Sequence, residues 1–157
     1  MAGNALISII RLSRPINLLI VSATMLGVYV YVNALNPKIA IDSMYLSLLV
    51  ISTVLITAGG NIINDYYDLK ADEINKPSKV IISKNISKEL SLRIYILLNL
   101  LALSLGFYLS FIFETFWFAG IHTLCTLLLW LYSIYLKKIL LLGNLLIAGL
   151  TGVIPLY

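Results

Sequence analysis

Asn64, Asp68 and Asp72 recur at four-residue intervals in the stretch Asn61-Ile-Ile-Asn-Asp-Tyr-Tyr-Asp-Leu-Lys-Ala-Asp-Glu-Ile-Asn-Lys-Pro77, directly after a long apolar run. On a helix, that spacing sets three oxygen-bearing side chains on one face, a turn apart. Two carboxylates and an amide at the mouth of a membrane helix are costly to keep there without a partner. A hard cation such as Mg²⁺ is a fitting partner, because it binds through one or two carboxylates together with substrate phosphates. The pattern points to diphosphate chemistry at a membrane surface. A solvated loop or a helix cap would also use Asp and Asn, and Asn75-Lys76-Pro77 supplies a stop signal. Neither accounts for three evenly spaced ligands at a helix end. Asp65 is expected off that face, in a supporting or loop position.

Other side chains with chemical potential cluster near the same end of the chain's apolar segments. Lys76, Lys79 and Lys84 follow the carboxylates closely, and residues 65–93 hold six basic and five acidic residues. That mixture is not a polybasic lipid patch; the lysines fit either an ordinary loop or a phosphate clamp, since Lys binds phosphate as a mobile point charge. Arg14-Pro15-Ile16-Asn17 opens the first apolar run, with Pro where its missing N–H costs nothing. Arg14 fits an interfacial anchor or a substrate contact, and Asn17 an interhelical hydrogen bond or a substrate contact. Tyr132 and Lys137 close the fourth run, where tyrosine and lysine are also ordinary interface residues. His122, inside that run with no second ligand at metal spacing, reads as a packing or hydrogen-bonding residue. Glu114 reads as a solvated hairpin residue, and Cys125, the single cysteine, as a small packing residue.

These residues need a scaffold, and the composition says which kind. The 157 residues are 61% hydrophobic and 11% charged, whereas a soluble domain carries about 25% charged residues. Five apolar runs, at 16–32, 44–63, 94–113, 116–136 and 139–157, approach the ~20 residues a membrane helix needs. Helices are required, because an open strand would leave backbone groups unpaired in lipid. The fold class is therefore all-α, a polytopic transmembrane helix bundle. Runs three to five are joined by very short connections at Glu114-Thr115 and Lys137-Lys138, while 65–93 forms the one long polar connection. Five crossings put ten of the eleven basic residues on one face, with only Lys38 opposite. The positive-inside rule assigns that face, with the N-terminus and the Asp-rich segment, to the cytoplasm. The net charge of +4 follows from this topology and calls for no nucleic acid. No cleavable signal peptide, Walker-type loop, zinc-spaced Cys/His cluster or nucleophile elbow is present.

At these residues the chain resembles the UbiA-type membrane prenyltransferases. The match consists of Asn64-x-x-x-Asp68-x-x-x-Asp72 continuing into Asn75-Lys76-Pro77, with Arg14-Pro15-x-Asn17 upstream. Tyr132-Ser133 with Lys137, then Gly143-Asn144-Leu145-Leu146, follows in the family's order. The resemblance implies a bundle of about nine membrane helices, of which five stand here, joining a prenyl diphosphate to an acceptor with Mg²⁺ as cofactor. It makes Asn64, Asp68 and Asp72 the metal-holding residues of a first Asp-rich motif, with Asp68 and Asp72 catalytic. Asn64, Lys76, Lys79, Arg14, Asn17, Tyr132 and Lys137 become substrate contacts. Two departures stand out. The usual Arg-Pro and Ser-Gly continuation reads Ser78-Lys79-Val80-Ile81-Ile82-Ser83-Lys84 here, and no acidic residue follows Glu114, so the family's second Asp-rich motif is missing.

Residues 1–157 are accordingly expected to be the N-terminal part of one transmembrane prenyltransferase domain, inactive without a C-terminal half or partner chain. Asn-Asp-Tyr-Tyr-Asp with Ile-Asn-Lys-Pro is most similar to the branch that alkylates geranylgeranylglyceryl phosphate in ether-lipid synthesis. An aromatic acceptor such as 4-hydroxybenzoate or another quinone precursor is the alternative, and a non-catalytic membrane scaffold a second one. Coupled ion transport fits less well, because transporter carboxylates sit near the bilayer midplane.

Overall fold

The computed structural model describes residues 2–37 and 41–139. Five α-helices account for most of them: α1 (Ala2–Leu12), α2 (Pro15–Leu35), α3 (Ser43–Asn75), α4 (Lys88–Ile112) and α5 (Trp117–Ile134). Short 3-10 turns follow at Pro77–Lys79 and Leu136–Lys138. Four of the helices, α2 to α5, are long and apolar enough to cross a membrane. The protein is an integral, multi-pass membrane helix bundle, as the apolar runs require. The fifth run, with Gly143, Asn144, Gly149, Gly152 and Pro155, lies outside the described residues, as does Lys38.

The central element is α3, which packs against each of the other four helices. Its 33 residues at 1.5 Å per residue give a rod of about 50 Å, against a hydrocarbon core of ~30 Å. The helix therefore emerges from the apolar layer and continues unbroken through the Asp-rich stretch. The sequence places a polar connection from residue 65 onward; the structure shortens it to 76–87, because 65–75 keep helical hydrogen bonding until Lys76 caps the end. Pro77 then stops the helix as expected.

Short local devices hold the other elements in place. The side chain of Asp42 accepts from the Met44 N–H at the start of α3, and that of Ser87 accepts from the Leu90 N–H at the start of α4, each satisfying an otherwise orphan donor. Helices α4 and α5 form a tight antiparallel pair through 113–116, where Glu114 turns the chain with φ 51°. Small residues allow close approach on α3 and α4. A Cβ built on Gly59 would lie 2.7 Å from Asn99 Nδ2, and one on Gly106 would lie 2.7 Å from His122 Cγ. His122 is fully buried; its ring nitrogens meet the Phe118 carbonyl and Ser52 Oγ, both at 2.7 Å. It ties α5 to α3, the hydrogen-bonding role its isolation in the sequence suggests.

Helix α1 has no counterpart among the apolar runs. Too short to span, it exposes Leu6, Ile7 and Ile10 while burying Ser8 and Leu12. Leu12 packs with Ile62, Ile82 and Ile86 in an apolar cluster, directly beneath the polar end of the bundle. Ile82 and Ile86 reach it from the 76–87 connection, which folds back through a single parallel-type bridge between them.

Candidate functional site

Three chain segments converge where α3 leaves the apolar layer. An alternating bundle returns the start of α2, the end of α3 and the end of α5 to the same side, and ion pairs confirm that they meet. Lys137, in the turn after α5, places Nζ 2.7 Å from Asp68 Oδ1 and 3.2 Å from Asn64 Oδ1. Arg14, just before α2, donates from Nη2 to Asp65 Oδ1 at 2.6 Å.

The helix period sorts the oxygen donors into two neighbouring sets. At 3.6 residues per turn, Asn64, Asp68 and Asp72 drift about 80° around the axis. Seven residues complete almost two turns, so Asp65 falls about 20° from Asp72. Asp65 thus stands beside Asp72 rather than apart from it, and lines a small cleft with Asp72, Lys79, Leu12, Leu69, Val80, Ile81 and Ile82. Asn64 and Asp68 form the second set, facing Lys137. An ammonium has three donors and no acceptor, so both side chains turn oxygen toward it. Sequence reasoning by fours misses the Asp65–Asp72 pairing; a spacing of seven is the signal that reveals it.

The joint between α1 and α2 is built to aim Arg14. Its backbone is left-handed (φ 53°, ψ 71°), a conformation costing a non-glycine residue about 1–2 kcal/mol. Pro15 follows at the first helical position, and the residue before a proline is disfavoured in the helical conformation. Two side chains of α3, one turn apart, hold the joint down: Asn61 Nδ2 donates to the Ser13 carbonyl at 2.8 Å, and Asp65 receives the Arg14 guanidinium. Asn61 is a second residue the sequence alone does not single out.

The remaining candidates are placed unequally. Lys79 is exposed and lines the cleft with Asp65 and Asp72. Lys76 caps α3, its backbone N–H donating to the Asp72 carbonyl at 2.8 Å, with its side chain exposed. Lys84 turns instead into its own loop, donating from Nζ to the Pro77 carbonyl at 2.6 Å. Tyr132 is half-buried near the end of α5, and Asn17 is exposed in the first turn of α2.

The donor set can be tested for a divalent cation on this geometry. Among the described residues, no group of three or more His, Cys, Asp or Glu side chains converges as a ready-made metal cage. What does converge is one amide oxygen and one carboxylate oxygen on a single cationic point, the Lys137 ammonium. That is a fit for Mg²⁺, which takes few protein oxygens and completes its shell with phosphate and water. Asn64 and Asp68 would hold it, with Asp72 one turn further along.

Comparison with known proteins agrees with this architecture. The UbiA prenyltransferase family model matches residues 20–157. A protein of Thermococcus sibiricus named digeranylgeranylglyceryl phosphate synthase is 36% identical over 151 residues, covering 94% of this chain and 50% of the relative. One of the same name from Methanospirillum hungatei is 34% identical over 157 residues, covering 100% of this chain and 51% of that protein. A solved structure, described as giving structural and mechanistic insights into the biosynthesis of digeranylgeranylglyceryl phosphate synthase in membranes, superposes with a TM-score of 0.82 at 28% identity. That superposition covers 97% of this chain and 51% of the solved one. The chain spans about half the length of the curated relatives it matches.

Proposed function

The chain belongs to the UbiA prenyltransferase family, and on that premise we propose that it carries the first half of a site for Mg²⁺-dependent prenyl transfer. The donor is a prenyl diphosphate and the acceptor geranylgeranylglyceryl phosphate, as in ether-lipid synthesis. The observation that supports this reading best is the convergence of Asn64, Asp68 and Lys137 at the end of a membrane-spanning helix, beside a cleft that joins Asp65, Asp72 and Lys79. The names of the relatives favour the glyceryl phosphate acceptor over an aromatic one.

In the proposed reaction the allylic C–O bond of the donor breaks and its electron pair leaves with the diphosphate. The acceptor hydroxyl oxygen forms a new C–O bond to the allylic carbon and its proton passes to the released diphosphate. When bound, the cation would neutralise charge on the departing diphosphate. Lys79 and Lys137 would take phosphate oxygens through charge-assisted hydrogen bonds. Asp65 keeps Arg14 at the rim, and the apolar helices below exclude water from the allylic carbon. Lys76, Arg14, Asn17 and Tyr132 are further substrate contacts in this reading. We place the site on the cytoplasmic face, where ten of the eleven basic residues would lie.

Residues 1–157 are proposed as the N-terminal part of one domain whose other half brings a second Asp-rich motif, since no acidic residue follows Glu114. The test is transfer of a labelled prenyl group in membranes by this chain joined to such a half. Activity is expected to need Mg²⁺, to be absent from residues 1–157 alone, and to fall at least about 100-fold in Asp68→Asn and Asp72→Asn, the order of losing one transition-state charge contact. Unchanged rates in both variants would remove the carboxylates from the reaction.

A further inference from the structure

Lys137 stands at the spot where the proposed site needs its metal. Its ammonium lies 2.7 Å from Asp68 Oδ1 and 3.2 Å from Asn64 Oδ1, and only 14% of its side chain is exposed. This contact is partly enclosed, unlike that of a fully exposed surface lysine. Local hydrogen bonds close the turn that carries it: Tyr135 N–H donates to the Leu131 carbonyl and Ile139 N–H to the Leu136 carbonyl, at 2.9 and 3.1 Å. The four-carbon stem is flexible by nature and lets the ammonium move without a change in that turn. Two neighbouring cations have other engagements, Arg14 with Asp65 and Lys84 with the Pro77 carbonyl.

We propose that Lys137 is a stand-in cation. It satisfies Asn64 and Asp68 until a diphosphate arrives, then gives up that point to a divalent cation and moves onto the phosphate. This rests on the reading of Asn64 and Asp68 as metal ligands. The physics is a competition for one oxygen pair. A divalent cation approaching Asp68 meets a like charge already seated there, and the repulsion is strong in a partly enclosed site. A diphosphate reverses the balance, because its oxygens offer Lys137 a partner of higher charge than one carboxylate. Metal and diphosphate then bind as one coupled event, and each raises the affinity of the other by the same factor. Without diphosphate, the chain holds divalent cations weakly although the oxygens are in place.

The test is Mn²⁺ binding, read from the electron paramagnetic resonance signal of free Mn²⁺, to the chain in phosphatidylcholine nanodiscs without phosphate. Lys137→Met and Lys137→Gln should each bind Mn²⁺ about fivefold more tightly than the parent chain, the factor equivalent to ~1 kcal/mol for one partly exposed ion pair. Lys137→Arg, which keeps the charge, should stay within about twofold of the parent. If neither neutral variant binds more tightly while Asp68→Asn still weakens Mn²⁺ binding, the stand-in role is overturned and the metal site survives. If Lys137→Met and Lys137→Met with Asp68→Asn bind Mn²⁺ equally, or neither binds it, the metal assignment falls and the proposal with it.

Discussion

Replacing Gly106 by alanine should destabilise the bundle, and the structure allows the size of the effect to be worked out. The added Cβ would lie 2.7 Å from Cγ of His122 and 3.0 Å from both its Cβ and Cδ2, about 1 Å inside normal carbon contact. The ring cannot simply swing away. Its Nδ1 and Nε2 are held at 2.7 Å by the Phe118 carbonyl and by Ser52 Oγ, so a retreat of that size breaks at least one hydrogen bond. Overpacking costs about 1–3 kcal/mol and the broken hydrogen bond about 1 more. Alanine regains ~1 kcal/mol of helix propensity. The net loss is about 1–3 kcal/mol. Gly120→Ala is the internal control, because a Cβ there meets nothing within 4 Å, and it should be neutral or stabilising by up to ~1 kcal/mol. Reversible unfolding in mixed micelles, followed by helicity, measures both. Equal stability of Gly106→Ala and the parent, or equal losses in the two variants, would refute the packing argument.

Two further outcomes test the polar end. In a double-mutant cycle, Arg14→Ala and Asp65→Ala should couple by about 0.2–1 kcal/mol, because the Arg14 side chain is 44% exposed, and the coupling should shrink as salt is added; a salt-independent value would mean the pair is not electrostatic. In the transfer reaction proposed above, Lys79→Ala should raise KM for the prenyl diphosphate about tenfold, the order of one charge-assisted hydrogen bond. Lys84→Ala should leave it within about twofold, since Lys84 already serves the Pro77 carbonyl. A larger effect at Lys84 than at Lys79 would reverse that assignment.

Periodicity and charge carry much of this architecture in the sequence itself. Four of the five apolar runs coincide with helices, and the turn between α4 and α5 falls at Glu114-Thr115. Asn64, Asp68 and Asp72 do stand on one continuous helix that ends at Asn75, because local helix geometry alone decides their relation. What stays hidden depends on distant residues. The Ser52–His122 contact joins positions 70 apart, and no local pattern marks Ser52 as its partner. The roles of Lys79 and Lys84 diverge only because the 76–87 connection folds back over Leu12. Helix α1 escapes notice because it is too short for a span and runs straight into a longer apolar segment. The closeness of Asp65 to Asp72 escapes a reading by fours, since a spacing of seven brings side chains together nearly as well as one of four.

The unusual length of α3 makes it a gauge of height above the bilayer. Its apolar stretch closes at Ile63, and each later residue climbs ~1.5 Å, so Asp68 and Asp72 stand about 7.5 and 13.5 Å higher along the axis. No hinge intervenes, because the helix is unbroken from Ser43 to Asn75. An amphiphile anchored by its chains in the hydrocarbon layer carries its polar head in this same band. It would therefore meet the carboxylates by sliding within the plane of the membrane, without ever leaving it. Search is reduced from three dimensions to two. Bilayer thickness, which sets where α3 emerges, becomes a variable that raises or lowers the carboxylates relative to such headgroups.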